Sequence, residues 1–389
     1  MPEPPRAPVS PRPSPNLPPN NHNNTAASTD ETATTTTTTT TTMSNINRYL
    51  CSHPTMLRDI DATSTFLKLL QSFNCENIAI ATSHNFSTNA PDRLDRVVSL
   101  AFDVYETLRK RANNGGAQRI VLGGAPDVLS ALHHTLLTSY KVLLRKQCNR
   151  INLGAAGVRA VGLLVSIARR SAVAAEGSNA LLNMCYEASN VALLVEEVGV
   201  GFLIQFLDIL DVDVQASAAG ALQSICFQYT GRAAANDHHV VQYLVPLLTS
   251  DSNVVRARAV GCVHNLSSDS TSIREIREMG AIPGLVSLLS SCSPTACTAA
   301  AGTIQNVSRE PLSRQMLMEN HPNVVESLSD LLFGNDVQGQ ACAAGALMNL
   351  IGPDMEGDEN LGARKAFKQL LSQSIAIGTV WQSVFECEN

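Results

Sequence analysis

The sequence predicts an all-α solenoid, and three observations predict it. Four segments share one motif: GALQSI at 220–225, GCVHNL at 261–266, GTIQNV at 302–307 and GALMNL at 345–350, spaced 41, 41 and 43 residues apart. An apolar block opens 25 or 26 residues before the fifth position of each: GVGFLIQFLD (199–208), HVVQYLVPLL (239–248), GAIPGLVSLL (280–289) and NVVESLSDLL (323–332). Finally, apolar residues recur at helical spacing, and no strand-like alternation runs through 150–380. A fixed period of this size is the signature of stacked repeats.

From the N-terminus, residues 1–43 carry nine of the 18 prolines in their first 19 positions, then an Asn-rich stretch and a Thr run at 34–42. Such a segment has too little apolar surface to bury and is expected to be a disordered tail. PRAPVSPRP (5–13) reads first as low-complexity sequence and second as a polyproline ligand for a groove domain. Met43, directly after the Thr run, is an alternative start.

Residues 44–150 read as helical but irregular, one or two degenerate repeats capping the stack. TSTFLKLLQSF (63–73), RLDRVVSLAFDVYETLRKR (93–111) and PDVLSALHHTLLTSYKVLLRK (126–146) carry helical stripes, with a loop expected at 74–92.

The repeat region is placed at 151–372. The offset that locates the four blocks also links Asn183 to GVRAVGLLVS (157–166), which gives five clear repeats; GARKAFKQLL (362–371) is a partial sixth. Around 280 the unit resolves into three helices. SIREIREMG (272–280) has Ile273, Ile276 and Met279 on one face. Gly280 supplies the left-handed turn that ends it, and Pro283 is tolerated in the first turn of the next helix. Ile282, Leu285, Val286, Leu288 and Leu289 stripe that second helix; Ala300, Ala301, Ile304 and Val307 stripe the third. The expected order of lengths is short, medium, long. Aromatics are only 4% of the chain, so small side chains let the helices approach closely. Gly220, Gly261, Gly302 and Gly345 lie inside the third helices, where glycine costs about 1 kcal/mol relative to alanine. Close packing, or a groove into which a side chain would intrude, is the expected compensation. Residues 373–389 are expected to cap the end, with Trp381 covering the last apolar face.

The GAIPxLVxLL and AAGxLxNL blocks, best developed at 280–308, resemble the armadillo repeat in its catenin-like variant. HEAT repeats are two-helix units and do not usually carry this Asn. The resemblance covers about 155–372, more weakly 54–150. It implies a right-handed superhelix whose third helices line a concave groove, and a protein that binds other proteins. It also implies that Asn183, Asn265, Asn306 and Asn349 project into that groove, where a carboxamide can both donate to and accept from a peptide backbone. The competing reading is that these Asn cap helix ends. Ser224 interrupts the series. Nuclear-import adaptors carry Trp four residues before this Asn; here Asn179, Gly220, Gly261, Gly302 and Gly345 stand there, which disfavours localisation-signal peptides. Catenin grooves are strongly basic, whereas only Arg256, Arg258, His264 and Arg309 fall near these helices.

Other chemistries find little support. A net charge of −6 gives no case for general nucleic-acid binding. No apolar run reaches membrane-spanning length, and no secretory or mitochondrial leader pattern is present. The 10 cysteines are scattered without CxxC, and several fall at apolar helix positions, which suits a reducing compartment. Asn265 and Asn306 match the glycosylation pattern but lie in expected packed helices. His133-His134 and His238-His239 are adjacent pairs that face apart, expected in surface or capping roles. GVG at 199–201 and GGAQRIVLGG at 115–124 lack the rest of a phosphate loop. The expectation is a non-enzymatic protein-binding scaffold or adaptor without metal or cofactor. It engages one or more proteins, including an extended peptide segment, through Asn183, Asn265, Asn306, Asn349, Arg258, His264 and Arg309. It is expected to be monomeric and cytoplasmic, with the nucleus or cytoskeleton as alternatives. The rival readings are a regulatory subunit or chaperone-exchange factor acting as a wedge, and an axonemal or cytoskeletal component.

Overall fold

The computed structural model describes residues 42–80, 92–113, 128–168 and 171–350. The tail before Thr42, GGAQRIVLGG, the partial repeat at 362–371 and the cap at 373–389 lie outside the described residues.

Among the described residues the fold is all-α, without a strand. Two helix pairs come first: α1 (Met43–Ser52) with α2 (Ile60–Ile80), and α3 (Asp95–Asn113) with α4 (Val128–Leu143). Five three-helix units follow. They are α5 (Gln147–Ile151), α6 (Gly154–Ser166) and α7 (Ser171–Met184); α8 (Ala188–Glu197), α9 (Ile204–Leu207) and α10 (Val212–Cys226); α11 (Tyr229–Asp237), α12 (Val241–Leu244) and α13 (Asn253–Leu266); α14 (Ser270–Glu278), α15 (Ile282–Leu288) and α16 (Pro294–Val307); and α17 (Pro311–Asn320), α18 (Val324–Leu332) and α19 (Val337–Leu350). The last helix of each pair or unit packs against the last helix of the next, so α2, α4, α7, α10, α13, α16 and α19 form one continuous row. One apolar core runs the length of the stack, from Met43 and Phe66 through Leu164, Leu222 and Ile304 to Leu350. No single helix among the described residues is long and apolar enough to cross a membrane.

Three expectations need correction. The middle helix, not the first, is the shortest in the units that begin with α8, α11, α14 and α17. In the second of these, Pro246 stands in the first turn of a 3-10 segment, Val245–Thr249, that takes over from α12. The loop expected from residue 74 is helix as far as Ile80. Phe73 and Asn74 are buried there, and Asn74 Nδ2 donates to the Thr135 carbonyl of α4 at 3.1 Å, so a residue that resembles a turn former is an anchor instead. Met43, assigned to the tail, opens α1 with its side chain buried.

The turns follow from backbone chemistry. Gly280 ends α14 at φ 73° and Gly199 ends α8 at φ 80°. His239 takes the same place after α11 at φ 50°, a region that side chains with Cβ avoid. Replacing His239→Gly is therefore expected to raise stability by about 1 kcal/mol, read as a higher urea midpoint; an unchanged or lower midpoint would show that the 3.4 Å contact from its Nδ1 to Glu275 outweighs the strain. Asp211 caps α10 by accepting from two backbone N–H groups, Ser252 caps α13, and Asp336 accepts from Gln338 N–H at the start of α19.

A second period is superposed on the first. Arg150, Arg232 and Arg314 occupy the same place in alternate units, and each donates from Nη1 to two carbonyls at the C-terminal end of the last helix of the preceding pair or unit. The acceptors are Leu144 and Arg145 at 3.0 and 2.9 Å, Cys226 and Phe227 at 3.4 and 3.3 Å, and Ser308 and Arg309 at 3.0 and 3.0 Å. These are carbonyls that a helix end leaves unpaired. Val191 and Ile273 hold this place in the intervening units and are buried.

Candidate functional site

The row of third helices brings the expected Asn residues into one line, one per unit, each half-buried. Their amide hydrogens are not free. Asn183 Nδ2 donates to the Lys141 carbonyl at 3.0 Å, Asn265 Nδ2 to the Gln223 carbonyl at 2.7 Å and Asn349 Nδ2 to the Gln305 carbonyl at 2.8 Å. Asn306 Nδ2 donates to Ser267 Oγ at 2.9 Å. Each Asn thus fastens its helix to the preceding unit, close to that unit's own ladder position. The contacts are of the capping kind but reach the neighbouring unit: three Asn donate to a carbonyl there and Asn306 to a hydroxyl. Among the described residues nothing donates to the four Oδ1 atoms, and none of them is a buried unpaired atom. What the ladder offers outward is a column of acceptors. Ser224 breaks it by turning its hydroxyl back to the Gly220 carbonyl at 3.2 Å.

The glycines complete the surface. Leu182, Gln223, His264 and Gln305 each stand one residue before a ladder position, and each lies over the glycine of the next unit. A Cβ at Gly220 would come 3.1 Å from Leu182 Cδ1, and one at Gly261 2.7 Å from Gln223 Cδ. At Gly302 it would come 2.7 Å from His264 Nδ1, and at Gly345 2.6 Å from Gln305 Cδ. The glycines therefore leave room for a side chain that crosses between helices. Arg258 crosses the other way, its guanidinium resting on Gly220. The sequence signal for this paving was the residue before each Asn, equally periodic but variable in type.

The charges differ from a basic groove. Burial pushes the His264 imidazole below its ordinary value of 6.5, and its Nδ1 is buried without a partner, so it adds no positive charge at neutral pH. Arg309 is exposed, beyond the end of α16. Arg258 is half-buried and has no carboxylate partner among the described residues. Four other partly buried cations are paired with carboxylates: Lys141 with Glu176 at 2.9 Å, Lys146 with Asp92 at 3.0 Å, Arg232 with Asp269 at 3.0 Å and Arg277 with Glu310 at 2.8 Å.

His133, expected in a surface or capping role, is buried, with Nε2 2.9 Å from the Leu164 carbonyl in the last turn of α6, and burial lowers its pKa from 6.5. Both histidines bind protons less readily folded than unfolded, so their contribution to stability is present above about pH 6.5 and is lost as pH falls below it. The urea midpoint is expected to drop from about pH 7.5 to about pH 5.5, and to drop less in a His133→Gln/His264→Gln variant; identical drops would assign the acid sensitivity elsewhere.

Cys185, Cys226 and Cys262 are buried within the stack, and the Cys226 and Cys262 thiols lie 3.8 Å apart between α10 and α13. Burial pushes the Cys185 thiol up to about 12 and that of Cys262 upward as well, which keeps them protonated and unreactive. No group of metal-ligating side chains occurs among the described residues.

Residues 269–309, which span the unit α14–α16, match the family model of the Armadillo/beta-catenin-like repeat. No curated protein matches the chain. Among solved structures, a designed armadillo repeat protein is similar over 58% of this chain and 96% of its own, at 21% identity and a TM-score of 0.52. A second, of computationally designed armadillo repeat proteins for modular peptide recognition, covers 64% of this chain and 98% of its own at 19% identity and a TM-score of 0.50. An engineered protein covers 90% and 96% at 20% identity and a TM-score of 0.58. The row of third helices and the three-helix units that carry it give this chain an armadillo-like α-solenoid fold, and the segment 269–309 resembles the armadillo repeat itself.

Proposed function

We propose that the chain is a non-enzymatic scaffold that binds a partner protein by taking an extended segment of it along the row of third helices. The observation that carries this reading is the column of Oδ1 acceptors on Asn183, Asn265, Asn306 and Asn349, immobilised by their own amide hydrogen bonds and flanked by glycines that keep the surface low. Packed helices stand about 8–10 Å apart and an extended chain advances about 3.3 Å per residue, so one Asn meets roughly every third ligand residue. Because the carboxamides present acceptors, they match the N–H groups that an extended backbone offers at regular spacing. One structural neighbour was designed for modular peptide recognition, which supports such a use of the fold.

The test is a displayed library of random peptides selected on the full-length protein. Enriched peptides are expected to slow amide exchange in α10, α13, α16 and α19. Changing Asn265, Asn306 and Asn349 together to Ala, with helical circular dichroism retained, is expected to weaken them about a hundredfold, at about 1 kcal/mol per hydrogen bond. Unchanged affinity would overturn the reading.

A second reading, a wedge that contacts its partner by an edge, is favoured by one observation. Tyr186 and Phe227 stand 55% and 66% exposed on the turns that follow the third helices of consecutive units, and Tyr229, 71% exposed, opens α11 just beyond. Exchange protection confined to residues 185–190 and 226–231 would select it.

A further inference from the structure

The row from α10 to α19 is almost without charge. Its four third helices carry Asp213, Arg256 and Arg258 as their only Asp, Glu, Lys or Arg residues. Asp213 lies in the first turn of α10, behind the cap. Arg256 turns back to its own helix start, donating to the Ser250 carbonyl and Asn253 Oδ1. His264 is neutral through burial. Arg258 alone is left facing across the row. Its side chain spans from α13 to α10, where the absence of a Cβ at Gly220 lets the guanidinium lie on the helix. Leu182 comes from the other side onto the same glycine, so the guanidinium rests on an apolar and backbone floor that offers it no negative charge.

A half-buried guanidinium has lost part of its hydration and presents a planar fork of donors. Other half-buried cations of the chain meet either a carboxylate within 3.0 Å, as at Lys141–Glu176, Arg232–Asp269 and Arg277–Glu310, or backbone carbonyls, as at Arg150, Arg256 and Arg314; Arg258 has neither among the described residues. At Arg258 the complementary anion is missing from the described residues, at a point where the surface is kept low. The ladder is also interrupted here, since Ser224 on α10 does not present an outward carboxamide. Backbone capture is weakest at the step where side-chain capture is available.

We propose that the bound segment carries one anionic side chain, a carboxylate or a phosphate ester, that seats on the Arg258 guanidinium above Gly220, and is otherwise selected by backbone contacts without further charge. This rests on the groove reading above and adds the chemical class of the ligand. The interaction is one charge-assisted, bidentate pair in a partly desolvated place. It replaces the Asn contact that the α10 unit lacks and fixes the register of an otherwise sequence-tolerant ladder.

The experiment uses peptides enriched on the full-length chain, measured against wild type, Arg258→Gln and Gly220→Ala. Enriched peptides are expected to share one Asp or Glu. Replacing it by Asn or Gln is expected to weaken binding to wild type about tenfold or more, and binding to Arg258→Gln hardly at all. Gly220→Ala displaces the guanidinium and is expected to blunt the same discrimination. Phosphoserine at that position binding more tightly than Glu would assign the site to a phosphorylated segment; tighter Glu would assign it to a plain acidic one. Peptides that protect the third helices without any acidic requirement, or with the same requirement in Arg258→Gln, overturn this inference and leave the groove reading standing. Peptides that leave the third helices unprotected overturn both.

Discussion

Gly231→Ala is expected to lower stability by about 2 kcal/mol, although alanine ordinarily improves a helix by about 1 kcal/mol over glycine. Gly231 lies near the start of α11, where the chain has just left α10, and a Cβ there would collide with the Ile225 carbonyl oxygen and stand 2.7 Å from its carbon. Ile225 lies in the last turn of α10, and its carbonyl accepts from Gln228 N–H at 3.1 Å, so the obstacle is backbone held by the fold. Gly261 and Gly345 make the comparison: their obstacles are the far ends of Gln223 and Gln305, which can swing aside. Alanine at either is expected to leave stability within about 0.5 kcal/mol of wild type, because helix propensity offsets the displaced side chain. Urea denaturation of the three variants decides the matter; equal losses at Gly231 and Gly261 would show that the clash is relieved by a general shift of the backbone.

Asn149→Leu is expected to cost about 3 kcal/mol, since it strands several buried polar groups at once. The side chain is fully buried. Its Nδ2 donates to the Leu143 carbonyl at 2.9 Å and to Asp92 Oδ2 at 3.0 Å, while its Oδ1 accepts from Asp92 N–H at 2.8 Å. Lys146 completes the group with its own 3.0 Å contact to the same carboxylate. The leucine keeps the volume but removes every partner, leaving a carboxylate and a carbonyl short of hydrogen bonds in a place water reaches poorly. Thermal unfolding followed by circular dichroism reads the loss. A variant Asn149→Ser, which retains a polar group, is expected to fall between the two. A loss below about 1 kcal/mol for leucine would mean that water replaces the side chain.

Asn149, Asn190, Gly231, Ser272 and Ser313 occupy one place in successive units, which explains what the sequence disclosed and what it withheld. The period was legible because packing repeats it: the small residues before each glycine and the apolar blocks upstream must recur for one unit to stack on another. Helix lengths within a unit were less legible, since α12 gives way to a 3-10 segment at Pro246 without losing its buried Val241 and Leu244. Asn74 resembled a turn former because its type does not reveal that the Thr135 carbonyl awaits it. At the candidate site the residues were legible and their orientation was not. Nothing in a sequence says which end of a carboxamide faces inward, and here the donor does. The charge of His264 was misread for a similar reason, because burial and not residue type decides its protonation. The arginine clamps escaped notice because they recur at every second unit, a period that a search for single repeats averages away.

Those clamps give the chain a parity. Units that begin at α5, α11 and α17 each grip the helix behind them through an arginine, and the units between them rely on Val191 or Ile273. The natural module is therefore a pair. Excising one unit would set unlike neighbours together and leave helix ends without their guanidinium, whereas excising two would restore the arginine contacts in kind. Shortening, lengthening or grafting this scaffold is a matter of even numbers.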